Sequence, residues 1–225
     1  MTKKLDEFRL LIDHDQGLQS KRKLLMMLCI TFLALNLSGA SLEEANTFLF
    51  KIKFTNYIGL SYLFMGSILF LTLRYYSYAE NYHVQLYNLW SERLLKDFNI
   101  FWYDPQEAHI GGLLGKIIRV SGYDEPGIDK AKYRKVGIFK RSISYNTSDF
   151  DNERGEYFYV KYISLYKFDD GWSFFDYMTL LYTEFKYRIE AIIKYRESLD
   201  IFSPYILCCL AILSFVFKSE ILKLM

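Results

Sequence analysis

Three apolar blocks without a single charged residue interrupt an otherwise mixed chain. They run from Leu24 to Ala40, from Tyr57 to Leu73 and from Ile201 to Phe217, and each is seventeen residues long. A helix of about 17–25 apolar residues is long enough to cross the hydrocarbon core of a bilayer. The pattern therefore predicts a transmembrane helical hairpin followed by a third spanning helix.

Two of these blocks are compatible with another interpretation. Lys21 to Lys23 precede the first block and the small residues Ser38 to Ala40 end it, as in a signal peptide. The mixed-charge leader before it and the second block soon after it favour a spanning helix. The third block, which has Pro204 near its start, also fits an apolar helix that lies in the membrane interface or packs between protomers.

The segments around the second block have shorter patterns. Ser41 and Glu44 have capping-box spacing, and aromatic or aliphatic residues alternate with others from Phe48 to Phe54, which predicts a short interfacial segment. After Arg74, apolar residues recur at helical spacing, so the second spanning helix is expected to continue toward Phe98 as a stalk. These residues are Ala79, Tyr82, Leu86, Leu89 and Trp90.

A β-hairpin and an amphipathic helix are predicted in the region that follows. Residues 136–145 and 157–168 are rich in aromatic and β-branched side chains, and the charged run 146–156 between them has the composition of a turn. An apolar stripe then indicates a helix that leads directly into the third block. The stripe consists of Met178, Leu181, Tyr182, Phe185, Ile189, Ile192, Ile193 and Leu199, and Glu184–Arg188 and Glu190–Lys194 have ion-pair spacing.

These elements predict an α+β fold in four parts. Residues 1–20 form a cytoplasmic leader, 21–74 the transmembrane hairpin, 75–200 a cytoplasmic α+β domain with its helical stalk, and 201–225 a C-terminal transmembrane or membrane-associated helix. Basic residues near the ends of the first two blocks place the N-terminus and residues 74–200 in the cytoplasm. Lys51 and Lys53 oppose this orientation, since they fall on the outer side.

Composition excludes some classes of function. Charged residues make up 24% of the chain and the net charge is +2, with no basic cluster interleaved with aromatics, so direct binding of nucleic acid is not expected. Cys29, Cys208 and Cys209 lie inside apolar runs, which favours packing over a disulfide framework or a metal site.

Few residues have the spacing that catalysis requires. His14, His83 and His109 are scattered, and HIGGLLGK (109–116) lacks the ending and preceding strand of a phosphate loop, so a flexible connector is expected there. The acidic groups Asp149, Asp151 and Glu153, and Asp169, Asp170 and Asp176, have the character of turn residues. We therefore expect no catalytic, cofactor-binding or metal-binding residue and no enzyme, the alternative being a membrane enzyme with an unrecognised cytoplasmic site.

Aromatic residues make up 19% of the chain. Those near the ends of the apolar blocks are placed as membrane-interface anchors: Tyr57, Tyr62, Tyr75, Tyr76, Tyr78, Phe202 and Tyr205. In the cytoplasmic region, packing is the simpler interpretation, and a partner surface is the alternative.

The stretch from Ser38 to His83 resembles retron-associated transmembrane effectors of bacterial anti-phage defence. The resemblance covers about a fifth of the chain and rests on a short-looped helical pair followed by a basic, aromatic exit. It implies a toxin-like, abortive-infection protein of the inner membrane, silenced by a reverse transcriptase with its DNA product from the same operon. The third spanning helix departs from the two-span form of that family.

The expected function is therefore that of a multi-pass inner-membrane effector, without cofactor, that forms homo-oligomers and perturbs the bilayer when released. The rival expectation is a membrane anchor, scaffold or receptor subunit for a soluble partner, without toxicity.

Overall fold

The computed structural model describes residues 2–38, 44–46, 51–53, 57–118, 127–151 and 155–217. Helices α1 (Thr2–His14) and α2 (Gln16–Leu37) are followed by strands β1 (Glu44–Asn46) and β2 (Lys51–Lys53) and the long helix α3 (Tyr57–Leu94). Strands β3 (Trp102–Asp104), β4 (His109–Gly111), β5 (Lys132–Lys135), β6 (Arg141–Asp151) and β7 (Gly155–Ser164) come next. Helices α4 (Phe174–Lys194) and α5 (Arg196–Val216) complete the α+β fold that the sequence predicts.

The chain forms two compact units. The helical unit comprises residues 1–85 and 195–225, and the α+β unit comprises residues 86–194. The boundaries predicted at residues 20, 74 and 200 separate membrane-spanning from cytoplasmic segments, and they stay a prediction.

The helical unit is assembled from α1, α2, the first part of α3, and α5. Asp15 ends α1 and caps α2, because its carboxylate accepts a hydrogen bond from the Leu18 N–H at 2.9 Å and another from the Tyr82 hydroxyl at 2.7 Å. Helices α2 and α5 pack along each other. The ring of Phe32, fully buried on α2, stacks on Phe64 of α3 with centroids 5.6 Å apart.

In the part of the chain that the structure describes, two helices are long and apolar enough to cross a membrane, where the sequence predicts three. They are α3 from Ile58 onward and α5, by length and composition. Helix α2, which contains the first predicted span, has only the residues from Leu24 to Leu37 after its three consecutive basic residues. Fourteen residues rise about 21 Å, against a hydrocarbon core of about 30 Å. The first predicted span is therefore not among the candidate spans, and its last two residues, Gly39 and Ala40, lie outside the described residues.

The region between α2 and α3 contains a short antiparallel pair instead of only an interfacial segment. Glu44 of β1 lies opposite Lys53 of β2. Ser41, Phe48, Phe50 and Phe54, on which the interfacial prediction also depends, lie outside the described residues. The predicted continuation of α3 is confirmed, since the helix extends to Leu94, four residues short of Phe98.

The α+β unit is organised around a three-stranded antiparallel sheet in the order β5-β6-β7. The predicted hairpin is confirmed, but its turn is shorter than expected: Asn146 to Asp151 continue β6 and pair with Val160 to Gly155. Pairing with an aromatic partner strand outweighs the weak strand preference of Asn, Ser and Asp. Trp172, Leu165 and Ile143 are completely buried beside this sheet, and the Trp172 indole N–H donates to the Leu165 carbonyl at 2.7 Å.

The glycine-rich segment 109–116 forms strand β4 and a short 3-10 turn, and not the flexible connector predicted. His109 to Gly111 pair with β3, and Leu114 is completely buried. A Cβ at Gly111 would lie 2.1 Å from the Trp102 ring, and Gly112 has a φ of +81°. The glycines allow close approach and a left-handed turn, which explains their density here.

Candidate functional site: a polar clamp around Pro204

Pro204 lies in the interior of α5 and not at its start, as the sequence predicted. The helix begins at Arg196, after the single extended residue Tyr195, so residues 196–200, which are polar except for Leu199, form its start. A proline inside a helix lacks the N–H that would bond the carbonyl four residues earlier, here that of Asp200. That carbonyl needs another donor.

Side chains from the neighbouring helices supply the donors. Arg22 of α2 donates to the Asp200 carbonyl at 3.3 Å, and the hydroxyl of the fully buried Tyr75 on α3 donates to the next carbonyl, that of Ile201, at 3.1 Å. In membrane helices, prolines are tolerated where neighbouring helices satisfy the freed backbone groups in this way. Helices α2 and α3 thus supply the donors for two carbonyls of the proline turn of α5.

Three ion pairs reinforce the same turn. The Arg22 guanidinium also contacts the Asp200 carboxylate at 3.0 Å, Arg9 of α1 contacts Glu197 at 3.1 Å, and Arg196 contacts Asp13 at 2.7 Å. Glu197 is 1% exposed, so its charge depends on Arg9 for compensation. We call Arg9, Asp13, Arg22 and Tyr75, with the residues 196–201 that they hold, the clamp.

Further polar contacts continue along α5 beyond the clamp. His83 lies 2.9 Å from the Tyr205 hydroxyl, and the Thr72 hydroxyl oxygen lies 3.2 Å from the Cys208 sulfur. Near the other end, Asn36 of α2 donates to the buried Ser214 hydroxyl at 3.2 Å. Polar side chains between apolar helices favour one packing arrangement. The contacts therefore define the register of α5 against α2 and α3.

The predicted aromatic anchors divide into two groups. Tyr62, Tyr76 and Tyr78 are exposed, as interface anchors would be. Tyr75 is buried and Tyr205 bonds His83, so these two side chains hold helices together. The side chain of Tyr57 lies outside the described residues.

Among the described residues, the three histidines that the sequence singled out are not brought together with one another or with the acidic groups, and Glu153 lies outside the described residues. His14 ends α1 and His109 is exposed on β4. Asp169 accepts the N–H groups of Gly171 and Trp172 at 3.0 Å, as a turn residue does. Within the described residues there is no group of three or more His, Cys, Asp or Glu placed to hold a metal ion.

A second buried ion cluster lies in the α+β unit. Glu184 of α4 accepts from Arg141 at 2.7 and 3.2 Å and from the Tyr133 hydroxyl at 2.9 Å, and it pairs with Arg188 one turn along the helix. Arg141 also donates to the Gly137 and Ile138 carbonyls, both at 3.0 Å. The cluster therefore joins α4, the sheet and the loop between β5 and β6.

Burial and charge shift the ionisation of this cluster. Burial alone would lower the pKa of Arg141, but hydrogen bonds to Glu184 and the charge of that carboxylate outweigh it and raise the pKa. The pKa of Tyr133 is raised, first by burial and then by the negative charge of Glu184. Both groups keep their ordinary protonation state at neutral pH, which makes the cluster structural.

Neither the clamp nor Arg141 stood out in the sequence. Arg9 and Glu197 are 188 residues apart, and Arg141 and Glu184 are 43 apart, so no local spacing signals either pair. Only the Glu184–Arg188 and Glu190–Lys194 pairs were predicted, and both are present.

Comparisons with family models, with curated proteins and with solved structures find no match to this chain.

Proposed function

We propose that α3 and α5 embed the helical unit in a bacterial inner membrane, and that the chain is a multi-pass effector of a retron-type anti-phage system. The observation that carries the membrane part is the exposure of its most apolar helices. Only 11% of the most apolar window of α3 and 28% of that of α5 is buried. An apolar helix in the core of a soluble protein would be largely buried.

The exposed side chains on these helices are the kind that lipid solvates. On α3 they include Ile58, Leu63, Leu69, Phe70 and Leu73, and on α5 they include Ile206, Leu210, Leu213 and Val216. The hydroxyls of Thr72 and Ser77 on α3 instead bond carbonyls of their own helix, those of Ile68 and Leu73. Such an arrangement presents apolar side chains outward while polar groups find partners inside.

The clamp supports a mechanism of release. Three ion pairs and two side-chain-to-carbonyl bonds hold the proline turn of α5, so anything that withdraws Arg9 or Arg22 removes a positive charge that compensates Glu197 or Asp200. Helix packing then changes, copies associate, and the bilayer is perturbed. In the resting cell, partners from the same operon, including a reverse transcriptase with its DNA product, keep the effector in its clamped form.

Membrane embedding is tested with a matched pair of substitutions. Phe70→Arg places a charge on the outward face of α3, at a cost of about 3 kcal/mol or more in a bilayer. Phe98→Arg introduces the same change at an equally exposed phenylalanine in the α+β unit; the two side chains are 61% and 69% exposed. We expect the first variant, and not the second, to leave the membrane fraction and to lose depolarisation of overproducing cells, measured by a potential-sensitive dye.

Two results decide the rest of the proposal. The first result is the effect of overproducing the wild-type chain alone. If the chain is in the membrane and the membrane potential does not change, the anchor or scaffold function is favoured. The exposed aromatic side chains of the edge strand β7 would then be a surface for the soluble partner. Orientation is tested by Asn146→Cys, at an exposed position of β6. We expect no labelling by an impermeant reagent added outside intact cells, and labelling would place the α+β unit on the outer side.

A further inference from the structure

The face of α4 that the sequence marks as apolar points outward. Tyr177, Leu180, Glu184 and Ala191 form its buried face. On the opposite face, six large apolar side chains are 42% to 80% exposed: Phe175, Met178, Tyr182, Phe185, Ile189 and Ile193. At 100° per residue these six fall within an arc of about 80°. We call them the outer stripe.

The outer stripe has the spacing of a helix-pairing seam. Its members follow one another at intervals of three, four, three, four and four residues, which is the a/d alternation of a coiled coil for its first five members. Isolated exposed apolar residues are ordinary on protein surfaces, but a contiguous row of six marks an interaction surface.

Charge argues for a second copy over a lipid surface. Helix α4 carries three acidic and three basic side chains, Asp176, Glu184, Glu190, Lys186, Arg188 and Lys194. A helix that binds an anionic membrane surface needs an excess of Lys and Arg, which α4 lacks. Because its positive and negative charges are equal in number, α4 can pack against α4 of a second copy without net electrostatic repulsion.

The available area also fits a dimer. With about 150–250 Å² for a full aromatic side chain, the outer stripe exposes on the order of 800 Å² on one chain. Each partner in a protein–protein interface of standard size contributes about 800 Å². Contact between identical surfaces gives the two-fold symmetry that is commonest among homo-oligomers.

We propose that the outer stripe of α4 is the surface through which two copies of this chain pair. This inference rests on the proposed function, in which copies of the effector associate. It adds which surface they use when they do so. It places the contact in the α+β unit, on a helix that is not one of the two candidate membrane spans.

Disulfide cross-linking at the middle of α4 tests the pairing. Phe185 lies one residue from the centre of this 21-residue helix, so two copies meet there whether the helices run parallel or antiparallel. Thr183→Cys is the matched control, because about 200° of helical rotation separates it from Phe185. Both variants are made in full-length chain carrying Cys209→Ser, which removes the exposed cysteine and leaves the buried Cys29 and Cys208.

We expect mild oxidation of membranes to give a two-chain product with Phe185→Cys and little with Thr183→Cys. Phe185→Lys should weaken dimerisation about tenfold or more, measured by the concentration dependence of mass in detergent, whereas Phe158→Lys on β7 should not. Equal cross-linking at both positions overturns the pairing. A cross-linked product that contains a different polypeptide also overturns the pairing. The pairing is likewise overturned if the thiol at position 185 neither cross-links nor reacts with a water-soluble reagent, because that result indicates that lipid covers the outer stripe.

The same samples separate this inference from the proposed function. Chain that sediments with membranes without specific cross-linking contradicts the pairing and leaves the membrane proposal intact. Chain that is soluble and yet cross-links through Phe185→Cys contradicts the membrane proposal and supports the pairing.

Discussion

Arg22 donates to both the carboxylate and the backbone carbonyl of Asp200, at 3.0 and 3.3 Å. One guanidinium thus serves as counter-ion for the side chain and as donor for the carbonyl that Pro204 leaves without its helical partner. Arg22 therefore contributes to the start of α5 in two ways, through a side chain and through the backbone.

Arg22→Gln should destabilise the helical unit by about 2 kcal/mol, because hydrogen bonds between charged groups are worth about 1.5–3 kcal/mol. Both side chains are largely shielded from water, which preserves the effect. The measurement is the midpoint of unfolding in detergent. Arg196→Gln is the control, since its side chain is 64% exposed and its pairs with Asp13 and with the other oxygen of Asp200 should together contribute less than about 1 kcal/mol. Equal losses at the two positions would contradict the special role of Arg22.

Pro204→Ala should reduce the cost of Arg22→Gln. Alanine restores the N–H that bonds the Asp200 carbonyl, so the guanidinium is then needed only for the carboxylate. A double-mutant cycle with unfolding midpoints measures the difference, which we expect to be about 1 kcal/mol. Strict additivity of the two substitutions would show that the carbonyl bond contributes nothing.

Glu184→Gln should destabilise the α+β unit by about 3–5 kcal/mol, because Arg141 then keeps its charge in a buried site without a counter-ion. Tryptophan fluorescence during denaturation reports the loss, since Trp172 is buried in the same unit. Glu190→Gln removes a carboxylate from the same helix, from an exposed pair with Lys194, and should cost about 0.5 kcal/mol or less. Similar midpoints for the two variants would refute a structural role for the cluster.

Gly111→Ala should destabilise the β3–β4 hairpin strongly, by about 2 kcal/mol or more, because the added methyl group overlaps the Trp102 ring. Hydrogen exchange of the amides of residues 102–111 measures the loss. Gly66→Ala is the control, as nothing lies within 4 Å of a Cβ there. It should leave the stability unchanged or raise it slightly. Slow exchange retained in Gly111→Ala would contradict the close packing.

Acid should weaken the start of α4 as Asp176 is protonated. Hydrogen bonds from Lys116 and Ser173 lower the pKa of this carboxyl from its ordinary 3.8 to about 2. Its contribution is therefore complete above about pH 4 and is lost as pH falls toward about 2. The effect stays below about 1 kcal/mol because the Lys116 partner is half exposed. Asp176→Asn should flatten this part of the stability profile, whereas Asp170→Asn, in the exposed turn before the helix, should not.

Local patterns predicted the elements well where one period dominates. The continuation of α3 past Arg74 follows from apolar residues at helical spacing, and the β6–β7 hairpin follows from aromatic and β-branched runs. The same patterns failed where a tertiary partner decides the outcome. Asn146 to Asp151 have a turn-like composition, and their pairing with β7 extends the strand.

The clamp was beyond prediction from the sequence for a related reason. Its residues come from α1, α2, α3 and α5, and the uncharged block that marks the last helix begins only at Ile201, which leaves Glu197 and Asp200 outside it. The direction of the α4 stripe was equally hidden, because periodicity shows that a helix has two faces and not which of them meets the core. The ion pair between Arg141 and Glu184 decides the direction, because it turns the face of α4 that carries Glu184 toward the core.

The separation of Arg22 and Asp200 by 178 residues also sets an order of events during synthesis. At about 5–20 residues per second, a ribosome needs roughly 10–40 s to reach the partner of an arginine that has already emerged. By the end of that interval every residue of the α+β unit has been made, whereas the α5 acceptors of Arg9 and Arg22 are only then emerging. The helical unit is therefore completed last, and its first two helices wait for the final one while the α+β unit already has its whole sequence.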